Sequence, residues 1–333
     1  MTDPQTRRKS SFGSLPFLII VVLGLVIGVY AAYWFWMAGE IRSGAEDWVE
    51  DQERMGRTVE YRDLSVAGFP SRFVLRAADP IIDAPDLGAR WEGEELEIIA
   101  MSWNLNHLLG RSKGENEITL NSGETYTLTP DEKSMASVVF SDGFLKRVGM
   151  EVPSLKLTDS RGDTHTATGF AMRLAPMEDA PENLRVDVSL DEARLTAPLP
   201  QAEWLGDTLS EFLLQIEFQN FYPVAEGRMT EVEWKLDRNT IDLKLGAIDM
   251  GPLQAAVRAN VAIDRDNNPD GTVGVHLQKP DELKAALAEA GLLDPDIERG
   301  INIISAMSRD DSFATVKVKD REISLLGQRL TTY

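Results

Sequence analysis

Leu184-Arg185-Val186-Asp187-Val188-Ser189-Leu190 alternates apolar and polar side chains without a break. Successive side chains of an extended chain point to opposite faces, so this stretch predicts a strand with one face in a core and one in water. The same period recurs on both sides of it. Upstream stand Val59-Glu60-Tyr61-Arg62, Phe73-Val74-Leu75-Arg76, Ile118-Thr119-Leu120, Tyr126-Thr127-Leu128-Thr129 and Leu155-Lys156-Leu157-Thr158. Downstream follow Val232-Glu233-Trp234-Lys235-Leu236, Ile241-Asp242-Leu243-Lys244-Leu245, Val273-Gly274-Val275-His276-Leu277 and Thr315-Val316-Lys317-Val318-Lys319. Alternation repeated this often predicts antiparallel sheet. Gly68-Phe69-Pro70 reads as a turn between the first strands.

Helical spacing interrupts the strands in a few places. Leu205, Leu209, Phe212, Leu213 and Ile216 follow i, i+4, i+7, i+8, i+11 and predict a helix. Leu283 and Leu287 lie on a short helix from about Pro280 to Ala290, closed by Gly291. Asp294-Pro295 reads as an N-cap followed by proline at the first helical position, with Ile297, Ile301 and Ile304 as the apolar face. The expected fold is α+β: an N-terminal transmembrane helix, then a large, mainly antiparallel, curved β-sheet body with a few packing helices. The proline- and acid-bearing stretch Pro176–Pro181 divides that body into possible halves, 58–178 and 182–333.

The first 57 residues read differently. Ser10 to Gly39 carries no charge, and Leu15 to Met37 is almost wholly apolar (LPFLIIVVLGLVIGVYAAYWFWM). About 20 such residues span a hydrocarbon core about 30 Å thick. The expected layout is a basic cytoplasmic tail at 1–14, a membrane helix at 15–38, and a helical stalk at 39–57. Ile41, Ala45, Trp48 and Met55 lie near one face of that stalk. Tyr30, Tyr33, Trp34 and Trp36 cluster where the helix leaves the bilayer, since aromatic rings settle at the interface. Arg7, Arg8 and Lys9 precede the span, while acids predominate after it, from Glu40 to Glu53. Basic flanks stay inside, which puts the N-terminus in the cytoplasm and the body in the periplasm of a bacterium, on its inner membrane.

Three short signals in this region admit a second reading. Val29-Tyr30-Ala31 has a small-x-small character, but the apolar region of a cleaved signal peptide runs only about 7–15 residues. The twin arginines lack the apolar residue expected after them, because Ser10 and Ser11 stand there. Gly24 and Gly28 form a Gly-x-x-x-Gly pair, either a helix contact or ordinary glycine usage in a span.

Charge narrows the partners. The chain carries −20, and its first 39 residues contribute +2, so the rest carries −22. Such a surface repels nucleic acid and anionic headgroups. It predicts a body that stands off the membrane or meets it through apolar parts. The 333 residues include no cysteine, which excludes disulfides, thiolate catalysis and cysteine–zinc sites.

The sequence offers little reaction chemistry. His107, His165 and His276 lie far apart, without ligand spacing. No Walker loop, dinucleotide fingerprint or Gly-x-Ser-x-Gly elbow is present. Asp266-x-Asn268-x-Asp270-Gly271 matches the first six positions of a calcium loop, but position twelve is Leu277. A polar hairpin turn accounts for the same residues. No catalytic residue, cofactor or metal ligand is therefore expected.

The turn Gly68-Phe69-Pro70-Ser71-Arg72 is similar to the Gly-Phe-Pro-x-Arg turn of a bacterial family of unknown function, DUF2125. Met101-Ser102-Trp103-Asn104-Leu105-Asn106-His107 resembles the same family, as does the closing segment Val316-Lys317-Val318-Lys319-Asp320-Arg321-Glu322-Ile323-Ser324-Leu325-Leu326-Gly327. The resemblance spans most of the chain and implies a membrane helix with β-rich periplasmic halves. It supplies no catalytic residues. The closing segment also resembles the C-terminal strand-and-turn of AsmA-like proteins, with Asp320-Arg321 where Asp-Gly is usual; that likeness implies lipid traffic or envelope maintenance.

Three roles follow as expectations. The first is a non-enzymatic envelope protein whose apolar sheet face binds or conveys lipid. The second is a scaffold that docks envelope proteins. The third is a hydrolase assembled from distant residues. Whether the sheet's apolar face is closed by helices or left open as a groove separates the first from a simple packed core.

Overall fold

The computed structural model describes residues 14–196, 199, 201–308, 312–319, 322–325 and 328–332. Arg7, Arg8, Lys9 and the Asp320-Arg321 and Leu326-Gly327 pairs of the closing segment lie outside the described residues. The first described element is one continuous helix, α1 (Ser14–Arg54), of 41 residues. It is long and apolar enough to cross a membrane.

The rest is mostly sheet, with 19 strands among the described residues. The first group is β1 (Thr58–Glu60), β2 (Asp63–Ala67), β3 (Arg72–Ala78), β4 (Ile81–Ala84), β5 (Ala89–Met101) and β6 (Asn104–Leu120). Next come β7 (Thr125–Pro130), β8 (Met135–Ser141), β9 (Phe144–Thr158), β10 (Thr164–Pro176), β11 (Leu184–Leu190) and β12 (Glu192–Arg194). The last group is β13 (Thr208–Phe218), β14 (Thr240–Met250), β15 (Leu253–Ile263), β16 (Pro269–Leu277), β17 (Ala314–Lys319), β18 (Glu322–Leu325) and β19 (Gln328–Thr332). Short helices α2 (Tyr222–Ala225) and α3 (Glu231–Leu236) join β13 to β14, and α4 (Pro280–Glu289) and α5 (Pro295–Met307) join β16 to β17.

Every pairing among the described strands is antiparallel. The connectivity is a meander in which each strand lies beside its neighbours in sequence. Four positions are filled by split strands: β1 with β2, β3 with β4, β7 with β8, and β11 with β12. Pro176–Pro181 falls in the connection between β10 and β11, where Met177 N–H donates to Asn183 O. Hydrogen bonding of the sheet runs on across it.

Two expected elements are corrected. Leu205–Ile216 is not a helix: Glu203–Leu205 is a 3-10 turn, and the run from Thr208 onward belongs to β13. The run Glu211-Phe212-Leu213-Leu214-Gln215-Ile216-Glu217-Phe218 satisfies both periods, because Leu213 supplies one apolar residue on the otherwise polar side. Strands β11 and β14 on either side decide in favour of extension. Conversely, Val232–Leu236 is helix α3. Thr230 and Glu233 form a reciprocal capping box, which ties up two N–H groups at the helix start. Trp234 is buried beneath it. Asp294 does cap α5, with Pro295 in its first turn, and the 264–268 loop is the turn of the β15–β16 hairpin.

Candidate functional site

Register shows what the alternation builds. From β3 outward, Phe73 lies opposite Ala100, then Leu108, Val138, Val148, Leu174, Val186, Ile216, Leu243, Ala259, Val273 and Val316. One row along the same face, Leu75 leads through Ile98, Gly110, Ala136, Met150, Met172, Val188, Leu214, Gly246, Val257 and Val275 to Ala314. Neither row holds a polar side chain. Strands stand about 4.8 Å apart, so two adjacent apolar rows crossing twelve strands make a lane about 50 Å long.

The opposite face carries the charge, as in Arg76–Glu97–Arg111, Arg173–Asp187–Gln215 and Asp242–Asn260–Thr272–Lys317. Val74, Ile99 and Leu109 are the apolar interruption near its start.

The lane is covered at its two ends. Helix α1 packs on β1, β2 and β3, and Leu64, Phe73 and Ala100 are buried there. At the other end α5 packs on β16 and β17, where Ala314 and Val318 are buried. Between them, every residue of both rows from β8 to β15 is half-buried. The accessible surface agrees: 21214 Å², against about 13,600 Å² for a globular chain of this mass. The exposed apolar half of α1 supplies part of the excess and the single-layered sheet the rest.

Beneath the covered first end lies a cleft of about 560 Å³. Ile41, Ala45, Trp48 and Val49 of α1 form its roof; Phe73, Leu75, Leu96, Ile98, Leu108 and Phe140 form its floor. Its size falls in the usual range for small-molecule sites, about 300–1,000 Å³. The stretch expected as a helical stalk is helical to Arg54, and its 41–49 part lies over the sheet as a lid. Its amphipathic face meets strands because both surfaces are apolar. Beyond the helix, Arg57 donates to both carboxylate oxygens of Asp86, at 3.0 and 2.7 Å, which pins the lid's far end to the β4–β5 turn.

The near end is held by the predicted aromatic and turn residues. Tyr30 OH donates to Pro70 O and lies 2.9 Å from Ser102 Oγ. Trp34 Nε1 donates to Arg72 O at 3.2 Å. Trp34 is buried, stacked on Phe73 and edge-on to Phe69. Tyr33 and Trp36 face outward. Gly68 has φ +106°, and a Cβ there would stand 2.7 Å from Arg72 O, so the turn requires glycine. The sequence brings Gly68, Phe69, Pro70 and Arg72 forward as a motif. Their partners Tyr30, Trp34 and Ser102 are visible only in three dimensions.

On the charged face, Glu97 is fully buried between Arg76 (2.7 Å), Arg111 and Lys113 (2.9 Å). Burial pushes its carboxyl up; hydrogen bonds from Lys113, Arg76 and Arg111 outweigh this and bring it down to about 2. Farther along, a depression of about 660 Å³ is lined by Arg147, Arg173 and Arg185 with Glu151 and Asp187. The histidines stand on β6, β10 and β16 in separate settings: His107 beside Ser137, His165 accepting from Thr196 N–H, and His276 beside Ser312 O. Among the described residues, no three His, Asp or Glu side chains are grouped to hold a metal.

A family model described as an uncharacterized protein conserved in bacteria, DUF2125, matches residues 34–325. No curated protein and no solved structure matches the chain.

Proposed function

This chain belongs to DUF2125, a family of uncharacterized proteins conserved in bacteria, and from that premise we propose that it is a non-enzymatic, membrane-anchored protein that binds or conveys lipid along its sheet. The observation that carries the reading is the apolar lane, capped at both ends and half-open between. A protein built only for stability would bury those rows under a second layer. Acyl chains gain about 0.8 kcal/mol per methylene taken out of water, so a lane of this length offers a favourable path. The α1 cleft is its first station, next to the helix that enters the bilayer. The resemblance of the closing segment's sequence to AsmA-like proteins, with Asp320-Arg321 in place of Asp-Gly, supports the same reading, toward envelope maintenance. On this reading the basic flank Arg7-Arg8-Lys9 keeps the N-terminus cytoplasmic and the sheet periplasmic, at the inner membrane.

Photocrosslinking residues at Leu243 and Val275 test it in native membranes. Both lie in the lane, and Asn260 on the opposite face is the control. Lipid adducts at the lane positions but not at Asn260 are expected. Equal labelling of both faces, or protein adducts in place of lipid, would sink the lipid reading; the latter would favour a docking scaffold.

A further inference from the structure

The contacts of α1 with the sheet fix how deep the sheet sits. Tyr30 and Trp34 belong to the uncharged run that ends at Gly39. The first charge after it, Glu40, is ten residues beyond Tyr30, about 15 Å farther along the axis. Yet Tyr30 and Trp34 are the residues that hydrogen-bond the β2–β3 and β5–β6 turns, at Pro70, Arg72 and Ser102. Ser102 N–H also donates to Ser71 O, joining the two turns. Wherever α1 spans a bilayer, these turns lie at the level of its apolar segment.

The side chains at that end suit the depth. Phe69 is 48% exposed and Trp103 74% exposed. The β8–β9 turn reaches the same end of the sheet, since His107 pairs with Val139 and Ser141 with Phe144. It presents Phe144 and Leu145, both exposed. Single exposed apolar residues are ordinary on protein surfaces. Here four sit on three adjacent turns, and two of those turns are bonded to the membrane helix. Farther along the same end the β10–β11 turn is acidic, with Glu178, Asp179 and Glu182, as is the β15–β16 turn, with Asp264 and Asp266; the β13–β14 connection between them mixes exposed Val232 and Leu236 with Glu231, Glu233 and Asp237. Asp142 and Arg72 flank the apolar tips and suit headgroup level rather than the bilayer centre.

We propose that the β2–β3, β5–β6 and β8–β9 turns are seated in the headgroup–acyl boundary of the leaflet from which α1 emerges, with Phe69, Trp103, Phe144 and Leu145 in contact with lipid. The sheet then meets the bilayer tilted, with its first turns immersed and the acidic β10–β11 and β15–β16 turns in water. This rests on α1 spanning a membrane and not on the lipid-lane reading, so either can fail without the other.

The absence of cysteine makes the experiment direct. The full chain is reconstituted in nanodiscs of zwitterionic lipid with single cysteines at Trp103, Phe144, Asp266 or Ser122, each carrying an environment-sensitive fluorophore. Ser122 lies in the β6–β7 turn at the far end of the sheet. Nitroxide-labelled lipid is the quencher. Quenching at Trp103→Cys and Phe144→Cys about threefold or more above Ser122→Cys is expected, with Asp266→Cys at the Ser122 level. Equal quenching at all four positions, or strong quenching at Asp266→Cys alone, would overturn the proposal. All four sites are exposed, so the variants fold on the same scaffold.

Discussion

At the scale of single residues, Glu97 shows how a polar face holds its register. Arg76, Glu97 and Arg111 are direct cross-strand neighbours on β3, β5 and β6. A one-residue slip would leave a buried carboxylate opposite apolar side chains, so the triad selects one pairing. Its folded pKa of about 2 lies below the ordinary 4.5. The stabilisation it brings is therefore complete above about pH 4.5 and is lost as pH falls toward 2. Glu97→Gln should cost about 2 kcal/mol at neutral pH, because three cations lose their common acceptor. It should also flatten the stability profile between pH 4.5 and 2, read by thermal unfolding of the detergent-solubilised protein. An unchanged acid limb would remove Glu97 as its source.

At the scale of elements, helix α1 does two jobs in one unbroken rod. Its apolar half is suited to lipid, and its amphipathic half roofs the cleft. Ala45 is small enough to leave that cleft open. Ala45→Trp should fill it, leaving thermal stability equal or raised while lipid crosslinking from Leu105, which also lines the cleft, drops several-fold. Undiminished crosslinking would mean that lipid does not enter beneath α1. The elements also show how far local pattern reaches. The capping box at Thr230 and Glu233 was written in the sequence, but a five-residue alternation masked it. In β13 the helical stripe was genuine and lost only because two partner strands were available.

At the scale of the whole molecule, the meander keeps every strand beside its chain neighbour, so the lane crosses the molecule without a crossover connection. That continuity can be cut. Leu214 sits in mid-lane and is only half-buried, so Leu214→Asp should cost about 1–2 kcal/mol rather than unfold the sheet. Lipid adducts should persist at Leu105 in the cleft but fall at Leu243 and Val275 beyond the block. Equal loss at all three, with native circular dichroism retained, would argue for a single local site instead of a path.

The sequence by itself determined the apolar helix of spanning length and the amphipathic strands, because both depend on local composition: an uncharged run, and a period of two. It also marked the Gly68–Arg72 turn, whose backbone excludes any side chain at Gly68. Only the tertiary structure decided that the apolar residues of twelve strands fall into two unbroken rows, that among the described residues the middle of those rows is left half-buried, and that the second half of α1 lies over the first strands as a lid. Each of these depends on register and on packing between residues distant in sequence. Periodicity tells which face of a strand is apolar; hydrogen bonding between strands sets whether neighbouring faces align.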